Sequence, residues 1–127
     1  NSVFVPFFAV PDAATTAGSY MLVKSARPAV IPFVPRRKAD GSGYELIILE
    51  DIGETLQGGD KASVATQMNR AIERAVLMAP EQYMWLHRRF KTRPEGQPDR
   101  YARKKSVVTS NRTVSTGDMP EQSGIQH

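Results

Sequence analysis

The sequence has no cysteine. That excludes a disulfide framework, a thiol nucleophile and a thiolate metal site. Its two histidines, His87 and His127, stand far apart with no acids gathered around them, so no metal-ligating set is recognisable. Ser19, Ser25, Ser42 and Ser63 lack the Gly-x-Ser-x-Gly setting of a hydrolase nucleophile. Gly41 and Gly43 form a Gly-x-Gly too short for a phosphate loop, and they read as a hairpin turn. No apolar run approaches the ~20 residues that a membrane-spanning helix needs. No cofactor is implied, and the sequence has no signal-like N-terminus.

What is present is a 127-residue chain, the size of one small domain, with 40% hydrophobic residues. Its net charge of +4 favours anionic partners: phosphates, acidic lipid surfaces, acidic carrier proteins or nucleic acid.

Residues 3–11 are rich in Phe and Val but broken by Pro6 and Pro11, which predicts an edge or irregular extended segment. Thr15 or Thr16 is placed to cap a helix running to about Ala26, and Pro28 ends it. Capping is the plainer role for these threonines; donation to an anion is the other. Residues 30–34 predict a short buried strand, near an edge or cleft because of Pro32 and Pro35. Asp40-Gly41-Ser42-Gly43 is a turn signal, and residues 44–49 read as the returning strand. Asp60 is the candidate N-cap of a helix over residues 61–79. Val64, Met68, Ala71, Ile72, Ala75 and Ala79 line its apolar face; Thr66, Gln67, Arg70, Glu73 and Arg74 line the polar one. Pro80 suits the first turn of a second, shorter helix that places Tyr83, Leu86, His87 and Phe90 on one face. His87 on that apolar face reads as a satisfied structural histidine. Residues 1–98 form the ordered part, and 99–127 read as a disordered tail.

Residues 79–94 carry the greatest density of chemistry. They hold Trp85, Tyr83 and Phe90 together with Arg88, Arg89, Lys91 and Arg93. Through Pro80-Glu81-Gln82-Tyr83, Trp85 and His87-Arg88-Arg89-Phe90-Lys91 this block resembles the C-terminal signature of the bacterial lipid A biosynthesis acyltransferases. Two further blocks follow the same family's order. One is Val3-Phe4-Val5-Pro6-Phe7-Phe8-Ala9-Val10-Pro11 with Ala14-Thr15-Thr16-Ala17-Gly18. The other is Val30-Ile31-Pro32-Phe33-Val34-Pro35-Arg36-Arg37 with Gly41-Ser42-Gly43-Tyr44. Ala9 stands where the family commonly has Gly, and Arg27-Pro28-Ala29 replaces a Gly-Ala-Pro-like approach to the strand.

The resemblance implies an α/β fold: the C-terminal part of a glycerolipid-acyltransferase-like sheet flanked by helices. It implies transfer of a fatty acyl chain from acyl carrier protein to a hydroxyl-bearing chain of a lipid A precursor, on the cytoplasmic face of the bacterial inner membrane. The wider superfamily uses a His-x4-Asp or His-x4-Glu pair, in which the histidine deprotonates the acceptor hydroxyl. His87 is followed at the matching distance by Thr92, and His127 is the last residue. The catalytic pair is therefore expected upstream of this chain, which reads as a piece of a longer protein and, alone, as inactive.

Arg36 and Arg37 end an apolar strand and are the candidate substrate-binding residues, with Arg36 favoured. Trp85, Arg88, Arg89 and Lys91 are candidates for an anionic membrane interface. The competing readings are a small basic module for nucleic acid, suggested by the cations of residues 100–105, and a membrane-surface domain without catalysis. No nucleic-acid-binding motif supports the former.

Overall fold

The computed structural model describes residues 2–103. Its elements run β1 (Ser2–Phe7), β2 (Val10–Thr16), α1 (Gly18–Ala26), β3 (Phe33–Arg37), β4 (Tyr44–Ile48), α2 (Gly53–Leu56) and α3 (Lys61–Met78), then a 3₁₀ turn over Pro80–Gln82. The expected mixture of helix and strand is present. A single sheet is not: among the described residues the strands form two separate two-stranded antiparallel hairpins, β1–β2 and β3–β4.

The first hairpin departs from expectation. Residues 3–11 are not one irregular segment. They turn at Phe8 and Ala9, and β1 pairs with β2 from Ser2–Thr16 to Phe7–Val10, with a register shift between Val5 and Phe7. The edge alternative holds for Pro6 and Pro11, since both strands of a two-stranded sheet are edges, where a missing donor is tolerated. Phe8 takes a left-handed backbone (φ 49°), and its N–H donates to Glu73 Oε1 at 2.6 Å. Thr15 and Thr16 therefore lie in a strand; α1 begins at Gly18, and although its N-cap Ala17 offers no side-chain bond, Gly18 N donates to Thr16 Oγ1 at 3.3 Å.

The second hairpin has the expected turn, with Gly41 and Gly43 both at positive φ (74° and 144°). Its first strand starts at Phe33, later than expected, and only Val34 of it is buried. The register pairs Phe33 with Ile48, Pro35 with Leu46 and Arg37 with Tyr44, so Phe33, Pro35, Tyr44, Leu46 and Ile48 share one largely exposed face. The stretch before β3 is fixed by Asp51, whose Oδ1 accepts from Val30 N (2.7 Å) and Gly53 N (2.8 Å). Gly53 has no room for a side chain, because a Cβ there would come within 2.5 Å of Pro28 O.

Helix α3 is the spine. Asp60 caps it as expected, accepting from Ser63 N at 2.8 Å. On one side Val64 joins Val23 of α1 and Leu56 of α2 in a core bordered by Tyr20, Val30, Ile52 and Met68. On another, α3 packs against the first hairpin, where Phe7 is fully buried. Serving two partners, α3 buries more than its apolar stripe. Glu73, assigned to the polar face, is buried, as is Asn69, while Ile72 of the apolar stripe is exposed. The tail expectation for residues 104–127 lies outside the described residues. Residues 99–101 are tied to the fold: Arg100 pairs with Asp12 at 3.1 Å, and Tyr101 Oη accepts from Phe90 N at 3.1 Å.

Candidate functional site

Beyond Gln82 the chain forms successive turns, not the expected second helix. Backbone bonds run Trp85 N to Tyr83 O, His87 N to Met84 O, Arg89 N to His87 O and Lys91 N to Arg88 O. The shared apolar face does not exist. Leu86 is 96% exposed, and His87 is exposed too, which corrects the buried structural role read for it. The helical spacing misled because the segment's order comes from long-range bonds, not from its own periodicity.

Those bonds come largely from the arginines. Arg89 turns inward: its guanidinium lies 4.8 Å from the Phe7 ring centroid, donates to Ala14 O at 3.1 Å and reaches Asn69 Oδ1 at 3.4 Å. Asn69 in turn donates to Pro6 O and to Thr15 Oγ1, both at 2.9 Å. Arg93, whose side chain is only 9% exposed, pairs with Asp12 at 2.6 Å and also bonds Gln97. Residues 89–101 thus form a strap across the first hairpin. The hydrogen bond from Arg93, reinforced by Arg100, holds the Asp12 carboxyl below its ordinary value near 3.8.

Outward from the strap stand Met84, Trp85 and Leu86 with Arg88 and Lys91, all exposed. The Trp85 indole N–H donates to Pro80 O at 2.7 Å, and its ring meets Tyr83 edge-on at 4.7 Å. Arg88 lies 5.7 Å from the Tyr101 ring. Of the four interface candidates, then, Trp85, Arg88 and Lys91 are exposed, and Arg89 is turned inward onto Phe7, Ala14 and Asn69.

At the other candidate site the two arginines separate. Arg36 crosses the hairpin to Glu45, with Nε 2.6 Å from Oε1. It stands next to the last residue of β3, which among the described residues pairs only with β4. Arg37 lines a polar cavity with Lys38, Tyr44, Glu81 and Gln82. Its backbone N–H donates to Gln82 Oε1 at 2.6 Å, and Gln82 Nε2 donates to Pro35 O at 3.0 Å. The Gln82 amide therefore occupies the margin of β3 as a neighbouring strand's peptide would. Beside it opens an apolar trough between β3 and α3. The sequence singled out neither Lys38 nor the trough, whose only signal was Met68, Ile72 and Ala75 on a helix facing a Pro-rich strand. Among the described residues no group of His, Asp and Glu could hold a metal ion, and no helix is long and apolar enough to cross a membrane.

A family model described as bacterial lipid A biosynthesis acyltransferase matches residues 1–92, a span that takes in both hairpins, α3 and the exposed Trp85 surface. The chain belongs to the bacterial lipid A biosynthesis acyltransferase family. It is 56% identical over 102 residues to a lipid A biosynthesis lauroyltransferase of Escherichia coli, covering 80% of this chain and 33% of that protein. It is 53% identical over 97 residues to a lipid A biosynthesis acyltransferase of Haemophilus influenzae, covering 75% of this chain and 30% of the relative. It is 45% identical over 103 residues to a lipid A biosynthesis palmitoleoyltransferase of E. coli, covering 80% and 32%. The chain thus spans about a third of the length of these lipid A acyltransferase relatives. No solved structure gives a significant match.

Proposed function

We propose that this chain forms the C-terminal portion of an acyltransferase that moves a fatty acyl chain from acyl carrier protein to a hydroxyl-bearing chain of a lipid A precursor. The family match over residues 1–92 carries the reading. The base and its partner acid belong to the part of such an enzyme that this chain does not span, since His87 is exposed and followed at the matching distance by Thr92. Exposed cations support the choice of an anionic lipid and an acidic carrier: Arg37 and Lys38 at one site, Arg88 and Lys91 beside Trp85 at the other. The surface around Trp85 rests on the cytoplasmic face of the inner membrane. Binding to an anionic membrane without catalysis is the second reading, favoured by that same surface.

A chimera tests the first reading. The matched third of the E. coli lauroyltransferase is replaced with residues 1–102 of this chain, and lauroyl transfer to a lipid A precursor is measured. Retained transfer is expected. A folded, membrane-bound but inactive chimera would favour the membrane-surface reading.

A further inference from the structure

One carboxylate oxygen holds the far half of the strap. Asp12 Oδ1, on β2, accepts from Arg93 Nη1 at 2.6 Å and from Arg100 Nη2 at 3.1 Å. Two turns bring the arginines to the same atom: Gln97 N donates to Pro94 O at 3.1 Å, and Ala102 N donates to Asp99 O at 3.3 Å. Among the described residues, the bond from Arg100 to Asp12 is the only hydrogen bond that joins residues 94–101 to an element outside the strap. Next to Arg100 stands Tyr101. Its hydroxyl accepts from Phe90 N at 3.1 Å, and its ring lies 5.7 Å from the guanidinium of Arg88. Arg88 is itself one of the exposed cations near Trp85. A line of contacts therefore runs from Asp12 through Arg100 and Tyr101 to Arg88.

We propose that Asp12 is a catch that closes the strap, and that the closed strap holds Arg88 in place for an anionic membrane. Asp12 is a positioning residue here and touches no lipid. The inference rests on the membrane placement of Trp85, Arg88 and Lys91 proposed above, and it adds the device that orders one of them. A guanidinium resting on an aromatic ring keeps N–H groups free for phosphate oxygens. It also has less freedom left to lose on binding, and that loss is part of what binding costs. An Arg88 on a loose strap lacks this advantage. The sign of the effect separates the catch from plain electrostatics. Neutralising Asp12 raises the net charge of +4, which by charge alone should tighten binding to an anionic surface. If Asp12 is the catch, the same change weakens binding.

The test titrates the 127-residue chain with vesicles of phosphatidylglycerol and phosphatidylcholine in equal parts, at neutral pH and low salt, read by co-sedimentation. Asp12→Asn should bind about two- to fivefold more weakly than the unaltered chain, the worth of one exposed cation–ring contact. Tyr101→Ala should weaken binding by a similar factor with no change of charge. Asp40→Asn makes the same charge change in the turn of the second hairpin and should bind no more weakly. Closure is read separately with trypsin. Pro94 protects the bond after Arg93, so cleavage after Arg100 reports the strap, and it should be faster in Asp12→Asn. The proposal is overturned if Asp12→Asn binds as tightly as the unaltered chain, if it is cut no faster, or if Asp40→Asn weakens binding as much. Should Asp12→Asn fail to fold, Tyr101→Ala decides, and undiminished binding by it overturns the proposal. An unaltered chain that ignores these vesicles removes the membrane placement and the catch with it. One that binds them regardless of Asp12 and Tyr101 removes the catch alone.

Discussion

Asn69 is fully enclosed and bonded to Pro6, Thr15 and Arg89, so it joins α3, both strands of the first hairpin and the strap. Removing it takes a partner from the Pro6 carbonyl and one each from Thr15 and Arg89, which keep their bonds to Ala13 O and Ala14 O; a buried polar group left unpaired costs about 1–3 kcal/mol. Asn69→Ala is expected to lower unfolding stability by at least that much in a denaturant titration; a change within about 0.5 kcal/mol, as for a surface site, would mean the network relaxes freely. Neither Asn69 nor Glu73 was legible in the sequence. Helical periodicity assumes one buried face, and it places a polar residue outside unless its partners, here 63 and 65 residues away, are known. Asp12 is the complementary case, an acid whose behaviour follows from its neighbours. Arg93, then Arg100, lower its pKa. A depressed folded pKa stabilises above the unfolded value, and the contribution is lost as pH falls through the folded one. The strap should therefore be fully held at neutral pH and loosen below about pH 4. Amide exchange over residues 93–101 should accelerate in that range, and Asp12→Asn should already show fast exchange at neutral pH.

Elements were legible where local chemistry decides them. The Asp60 cap, the span of α3 to within a residue and the glycine turn of the second hairpin all follow from residues adjacent in sequence. The first hairpin was missed because Phe8, a residue with no turn preference, supplies its left-handed position and is held there by Glu73. The segment after Gln82 was misread as a helix for a related reason, since arginines reaching distant strands set its shape. Its exposed Trp85, Arg88 and Lys91 now make a sharper prediction. Each cation near an anionic surface contributes about 1 kcal/mol, weakened by salt. Trp85 is 61% exposed, so its emission in buffer should be red. Anionic vesicles should shift it to the blue, and high salt should reverse the shift. An unchanged spectrum would end the interfacial assignment. Arg88→Ala with Lys91→Ala should weaken vesicle binding more than Arg89→Ala does at equal folded fraction.

For the molecule as a whole, family membership was plain in three short blocks, while the arrangement of the sheets was not. Strand patterns do not say which strands pair when much of a fold's partner surface is not in view. Two two-stranded hairpins are marginal units, and Phe33, Leu46 and Ile48 present an open apolar face. The isolated chain is expected to aggregate on heating. Leu46→Lys should raise solubility with a stability change within about 0.5 kcal/mol, typical of exposed positions, as followed by light scattering and thermal melts. The isolated chain is also expected to transfer no acyl group from acyl carrier protein thioester to a lipid A precursor. Turnover above the uncatalysed background would show that it contains its own base.

The strap has a consequence for how the protein is made. Its bonds to Asp12 bridge 81 and 88 residues of sequence. At roughly 5–20 residues per second, a ribosome needs about 4–16 s to travel from Asp12 to Arg93. For all that time the first hairpin exists without its clamp, and Asn69, Glu73 and Arg89 reach it only as synthesis proceeds. The first hairpin is thus secured long after its own strands have emerged, and it stays unclamped until Arg93 and Arg100 have been added.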